Sequence, residues 1–162
     1  MKTKIISILF VLFFSHAMIF AQDKKEELTP DVYVNQIKKI ISTNNAPCAI
    51  GPYNQGIVAG GFLFTSGQLP IDPKTGNVAS TIEEQTSQVL DNIKAIVEAV
   101  GISLENVVKV TFYLKNMDDF ATVNKIYSTY FPNNPPARVC VEVSKMAKNA
   151  LVEIDAVALM IK

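Results

Sequence analysis

The sequence predicts an α+β sandwich, a mostly antiparallel sheet with two helices on one face. Three observations carry that expectation. Short β-branched and aromatic runs recur at 56–65, 107–114, 137–143 and 151–161, and such residues suit a pleated, half-buried surface. Two stretches between them, 82–100 and 118–131, place apolar residues at helical spacing. With 162 residues, 49% of them apolar, the chain has the material for one hydrophobic core and one domain.

Residues 1–21 read as a secretory signal peptide. Lys2 and Lys4 are followed by an uncharged apolar run from Ile5 to Phe14 and then by small residues, the order of a basic region, a short apolar region and a cleavage site. Cleavage is expected after Ala21, which leaves a polar start; Ala17 is the alternative, because Ser15 and Ala17 form a small-x-small pattern. The mature protein is then periplasmic or secreted, with no stable membrane insertion. The alternative is an uncleaved membrane anchor, since the uncharged run reaches only the short limit for a bilayer span. Residues 22–38, QDKKEELTPDVYVNQIK, are charged and weakly periodic, and read as a linker or N-terminal extension with a helical turn or two. The folded domain is expected over 39–162.

Within that domain, GIVAGGFLFTSGQ at 56–68 reads as a hairpin turning on Gly60 and Gly61. IDPKTGN supplies turn chemistry. Thr81 followed by Glu84 is a capping box, and Ile82, Thr86, Val89, Ile93, Ile96, Val97 and Val100 then recur on one helical stripe that Gly101 ends. VVKVTFYL at 107–114 is a strand. Asn116 is placed to cap a second helix, with Phe120, Val123, Tyr127 and Phe131 on its packed stripe. Asn124 shares that stripe, either as a bonded core amide or as a functional group. After PNNPPA come two further strands, giving the order β-β-α-β-α-β-β.

Charge and residue type remove whole classes of function. Fifteen basic and fifteen acidic residues cancel, and no basic cluster exceeds the pairs Lys24-Lys25 and Lys38-Lys39, so there is no electrostatic footprint for nucleic acid. The single histidine, His16, lies in the leader. Cys48 and Cys140 have no CxxC spacing, which argues against a zinc site or a Cys/His nucleophile pair. Export permits a disulfide, yet one cysteine lies in a strand and the other in a loop, and free thiols are expected.

In PPARVCVEV, 135–143, alternation sends Val139, Val141 and Val143 to one face and Arg138, Cys140 and Glu142 to the other. In the last strand Val152, Ile154, Ala156 and Ala158 oppose Glu153 and Asp155. Helices are expected to cover the valine faces, leaving Arg138, Cys140, Glu153 and Asp155 together on the far side with Phe62, Phe64 and Tyr113. A face so mixed predicts cover by another subunit. Arg138 by itself reads either as a solvated strand charge or as a two-pronged grip on a small carboxylate.

The segments ISTNNAPCAIGPYNQG, FTSGQLPIDPKTG, LDNIKAIVEAVG, DFATVNKIY, PPARVCVEV and VEIDAVA resemble, in order and spacing, the RidA/YjgF family of imine deaminases. The likeness runs from about Lys39 to Ile161, and the PxARxCxEV motif with a glutamate fifteen residues beyond its arginine is its most specific mark. The resemblance implies a chorismate-mutase-like fold, a homotrimer with clefts between subunits, and no metal or cofactor. It further implies that Arg138 binds the substrate carboxylate, that Glu153 handles the attacking water, and that the backbone carbonyl of Cys140 faces the imine nitrogen. Tyr53, Ser66, Gly67 and Asn124 match positions that line the family's cleft. The departures are the leader and extension, Cys48 where a small or basic residue is usual, and Ala147 where proline is frequent; none removes a catalytic group.

The implied reaction is hydrolysis of reactive 2-imino acids, such as 2-iminopropanoate from 2-aminoacrylate, or 2-iminobutanoate, to 2-keto acid and ammonia. The alternative is a non-catalytic trimer that uses the same cleft to bind small carboxylates or an exported partner.

Overall fold

The computed structural model describes residues 38–160. The expected signal peptide, its two cleavage positions and the extension up to residue 37 lie outside the described residues. Six strands form one sheet: β1 (Lys38–Ile41), β2 (Gly56–Ala59), β3 (Phe62–Thr65), β4 (Val107–Leu114), β5 (Ala137–Glu142) and β6 (Val152–Leu159). Their spatial order is β1-β2-β3-β6-β4-β5, and every pairing is antiparallel except β4 with β5. Two helices, α1 (Ile82–Glu98) and α2 (Phe120–Tyr130), pack together, and their buried residues share one core with the sheet. This is the α+β sandwich that the sequence predicts.

Local chemistry explains the elements. Gly60 and Gly61 both have positive φ, 57° and 80°, as a two-residue hairpin loop requires of both central residues; Ala59 and Phe62 pair across it. The Glu84 N–H donates to Thr81 Oγ1 at 3.2 Å and the Thr81 N–H to Glu84 Oε2 at 3.5 Å, a complete capping box at the start of α1. Val89, Leu90, Ile93, Ile96 and Val97 are then fully buried, each contributing roughly 1.5–3 kcal/mol of transfer free energy. Asn116 does cap, but its Oδ1 accepts from the Asp118 N–H at 3.0 Å at the head of a single 3-10 turn. The α-helix proper begins at Phe120.

Two features depart from the sequence reading. The strand β1, which overlaps the expected linker only at Lys38, was not expected: KKII is too short and too charged at its head to announce itself, and it survives as an edge because its lysines face solvent. The assignment of faces is also reversed on β5. Arg138 pairs with Val110 and Cys140 with Phe112, both fully buried beneath the helices, so the arginine and cysteine point to the helix side. Val139 and Val141 pair with Thr111 and Tyr113 on the open face, where they are 43% and 38% exposed. On β6 the expectation holds: Val152, Ile154, Ala156 and Ala158 are buried while Glu153 and Asp155 face the open side. Arg138 and Glu153 therefore lie on opposite faces of the sheet.

Tyr127, in the core between Phe112 and Phe131, has a buried hydroxyl with no hydrogen-bond partner among the described residues. An unsatisfied buried hydroxyl costs about 1–3 kcal/mol. Tyr127→Phe keeps the ring and is expected to raise the unfolding free energy by about 1 kcal/mol, measured by denaturant unfolding; a loss of stability would show that the hydroxyl is engaged.

Candidate active site

The site is built from two groups of residues, one on each face of the sheet. On the helix face, Phe120, Asn124 and Tyr127 succeed one another along the same side of α2. They look onto Arg138, which the β4–β5 register holds beside Phe112. Arg138 Nη1 donates to Asn124 Oδ1 at 2.5 Å, and the guanidinium carbon stands 5.2, 5.3 and 5.2 Å from the ring centroids of Phe112, Phe120 and Tyr127. Each cation–π contact is worth roughly 0.5–2 kcal/mol as water is excluded. Among the described residues no carboxylate pairs with this guanidinium. It is a partly buried cation, fixed in orientation, with hydrogen-bond donors to spare. Cys140 lies two residues along the same face, a free thiol whose pKa burial pushes up against the opposing pull of Arg138. β5 is an outer strand of the sheet, so one edge of its backbone has no strand partner among the described residues.

On the open face a cavity of about 330 Å³ is lined by Ile50, Tyr53, Ser66, Gly67, Leu69, Ala147 and Glu153. Gln68, just beyond β3, exchanges backbone bonds with Ile154, Gln68 N–H to Ile154 carbonyl at 2.8 Å and Ile154 N–H to Gln68 carbonyl at 3.2 Å, and this clasp brings Gly67 against Glu153. A Cβ on Gly67 would stand 2.0 Å from Glu153 Oε1; only glycine leaves room for the carboxylate. Ser66 donates its hydroxyl to the Asn54 carbonyl, tying the same turn to the loop that carries Tyr53. The Glu153 carboxyl is raised above its usual range, first by burial and then by the neighbouring charge of Asp155. A carboxyl so placed takes and returns a proton more readily near neutral pH than an exposed one.

Of the residues singled out from the sequence, Tyr53, Ser66, Gly67 and Glu153 are together on one face, and Asn124, Arg138 and Cys140 on the other. The two groups do not meet within one copy of the chain. Sequence reasoning missed Gln55, buried, whose Nε2 donates to the carbonyls of Thr43, Ala46 and Pro47 and whose Oε1 accepts from the Thr43 N–H. It pins down the loop that presents Tyr53. A glutamine directly before the GIVA strand was the only local signal. The ring cage around Arg138 was also missed, because Phe112, Phe120 and Tyr127 read as ordinary core. Cys48 is exposed, with a free thiol.

A family model described as endoribonuclease L-PSP matches residues 43–160. A RutC family protein of Pyrococcus horikoshii is 58% identical over 123 residues, covering 75% of this chain and 98% of the relative. The 2-iminobutanoate/2-iminopropanoate deaminase of Salmonella typhimurium is 49% identical over 125 residues, covering 75% and 98%. Among solved structures, that of E. coli TdcF with bound serine superposes with a TM-score of 0.73 at 42% identity, over 75% of this chain and 98% of that one. The chain thus belongs to the endoribonuclease L-PSP family, the RidA/YjgF family that its PPARVCVEV and VEIDAVA motifs resemble.

Proposed function

We propose that the protein is a hydrolytic deaminase of small 2-imino acids, working in clefts between the subunits of a homotrimer. The observation that carries this reading is the guanidinium of Arg138: partly buried, aimed by Asn124 and three aromatic rings, and without a carboxylate among the described residues. Taking a cation partly out of water is costly unless an anion completes it. A planar two-pronged donor selects a carboxylate in the plane of its fork. The serine bound by TdcF and the imino acids named for the Salmonella relative both carry such a group. The endoribonuclease in the family's name has no comparable support in this chain, which has zero net charge and a single histidine in its leader.

The chemistry follows from the two groups of residues. The substrate carboxylate docks on Arg138, which fixes C2 in position. The Glu153 carboxylate takes a proton from water as the water oxygen bonds to C2, and the C=N electron pair moves to nitrogen, which the Cys140 carbonyl orients. Glu153 returns its proton to nitrogen and then carries the hydroxyl proton of the adduct to the same nitrogen as the carbon–nitrogen bond breaks, releasing ammonia and leaving the 2-keto acid. General-base assistance contributes roughly 10²- to 10⁴-fold. Positioning by Arg138 contributes the rest.

Because Arg138 and Glu153 occupy opposite faces, a working cleft takes the arginine from one copy and the glutamate from the next. The open face supports such packing: Ile40, Phe62, Phe64, Val139 and Val141 are 60%, 36%, 45%, 43% and 38% exposed, an apolar surface suited to a like surface. The leader, in the same reading, exports the protein to the periplasm or beyond, and N-terminal sequencing of the mature chain should begin at Gln22, or at Met18 if cleavage follows Ala17.

Arg138→Lys keeps the charge but loses the fork, and should lower kcat/KM for 2-iminopropanoate by about 10- to 100-fold with the fold unchanged. The assay couples an amino acid oxidase to keto-acid detection; a wild-type rate would return Arg138 to a plain strand charge. Arg138→Ala and Glu153→Gln should each be inactive, yet refolded together in equal amounts they should recover roughly a quarter of the wild-type rate. Random mixing makes about three quarters of trimers hybrid, and each hybrid holds one intact cleft of three. No recovery would place both residues in one subunit's site. Gly67→Ala, which drives a methyl group into the Glu153 carboxylate, should cost roughly 100-fold in kcat with little change in KM.

A further inference from the structure

Glu153 stands between two depressions. One is the cavity with Tyr53, Ser66 and Gly67; the other, about 210 Å³, is lined by Gly67, Tyr113, Val143, Lys145, Met146, Glu153 and Asp155. The proposed reaction uses the first and leaves the second without a role. It is not an inert surface. Tyr113 lies opposite Glu153 in the β4–β6 register, and Thr111 opposite Asp155, so the Tyr113 side chain reaches diagonally across the ladder. Its hydroxyl donates to Asp155 Oδ2 at 3.0 Å. Tyr113 and Asp155 are both only partly exposed.

We infer that Asp155, tethered by the Tyr113 hydroxyl, is a positioning residue for Glu153 that sets the pH at which Glu153 can accept a proton from water. The inference rests on the reading of Glu153 as the base of the proposed reaction. Two carboxylates two residues apart on one strand face the same side, and like charges so placed disfavour ionisation of the partner. An untethered Asp155 could relieve that repulsion by turning toward solvent. The Tyr113 hydrogen bond holds it in place, and the same bond, after burial, raises the tyrosine's own pKa. Burial is the larger cause of the upward shift at Glu153 and the Asp155 charge the second. The other ionisable groups around Glu153 are Lys145, from the β5–β6 connection, and Tyr53, from the loop before β2. An Arg138 supplied by a second copy would pull the Glu153 pKa down equally in wild type and in variants at position 155.

The sign follows. Glu153 must be ionised to act as a base, so turnover falls as pH drops through its pKa, and anything that raises that pKa moves the acid limb upward. Asp155→Asn keeps shape and the hydrogen bond from Tyr113 but removes the charge. The acid limb of kcat should move to lower pH, with KM for the carboxylate substrate unchanged, and Asp155→Glu should bring the limb back toward wild type. Tyr113→Phe should move it in the same direction by a smaller step, and should add nothing in the Asp155→Asn background. The same shifts should appear in the titration of the Glu153 side-chain carboxyl followed by ¹³C NMR, a readout that needs no turnover. A limb and a titration curve unmoved by Asp155→Asn, or a Tyr113→Phe step that persists without the Asp155 charge, overturns the inference. A wild-type protein with no deaminase activity but with the NMR shift intact would instead remove the proposed reaction and leave the coupling between the two carboxylates standing.

Discussion

Everything in the candidate site depends on how the guanidinium of Arg138 is held. A cation in that position has lost part of its hydration, and among the described residues only aromatic faces and one amide oxygen compensate it. The cage needs α2 directly over β4 and β5, which in turn needs the parallel β4–β5 pair that α2 connects. A shift of one residue in that register would carry Arg138 to the open face. The same change would drive Val139 into the core and remove the cage. Thus a stretch of backbone pairing decides whether the arginine sits in an aromatic cage or is a surface charge.

The glutamate side is governed by a different constraint, the absence of a side chain. Glu153 can sit where it does because Gly67 has no Cβ to meet its carboxylate. Gly67 is there because Gln68 clasps Ile154 through two backbone bonds. Farther out, Asn92 on α1 donates to the carbonyls of Leu69 and Ile71, which fixes the segment that follows. Buried amides therefore do for the open-face loops what the ring cage does for Arg138. Gln55 and Asn92 are both buried, and each holds irregular backbone through its side-chain amide.

The division of the site across the sheet joins assembly to chemistry. In the proposed reaction neither half would perform hydrolysis alone: one would bind a carboxylate without a base, and the other would have a base without an anion grip. The exposed valines and phenylalanines of the open face are the surface by which copies would bring the halves together, and the two carboxylates stand beside that surface. Substrate binding, proton transfer and subunit packing would then share a few square nanometres of sheet. A substitution in this region would alter more than one of the three.

Local signals in the chain specify every strand and α-helix except β1, together with the chemical inventory. The capping box of Thr81 and Glu84, the glycine pair at the hairpin and the helical stripe of Phe120, Val123 and Tyr127 are local signals, and local physics honours them. The family motifs likewise pick out Arg138, Glu153 and Gly67, because motif spacing is a property of the chain alone. Tertiary structure decided which face each strand residue occupies. A period of two defines two faces without saying which one the helices cover; the pairing of Arg138 with Val110 and of Cys140 with Phe112 puts the valines of β5 on the open face. It also decided that Gly67 touches Glu153 and that Tyr113 reaches Asp155. These contacts join residues far apart in the chain, and no local propensity encodes which distant side chain will fill a given space.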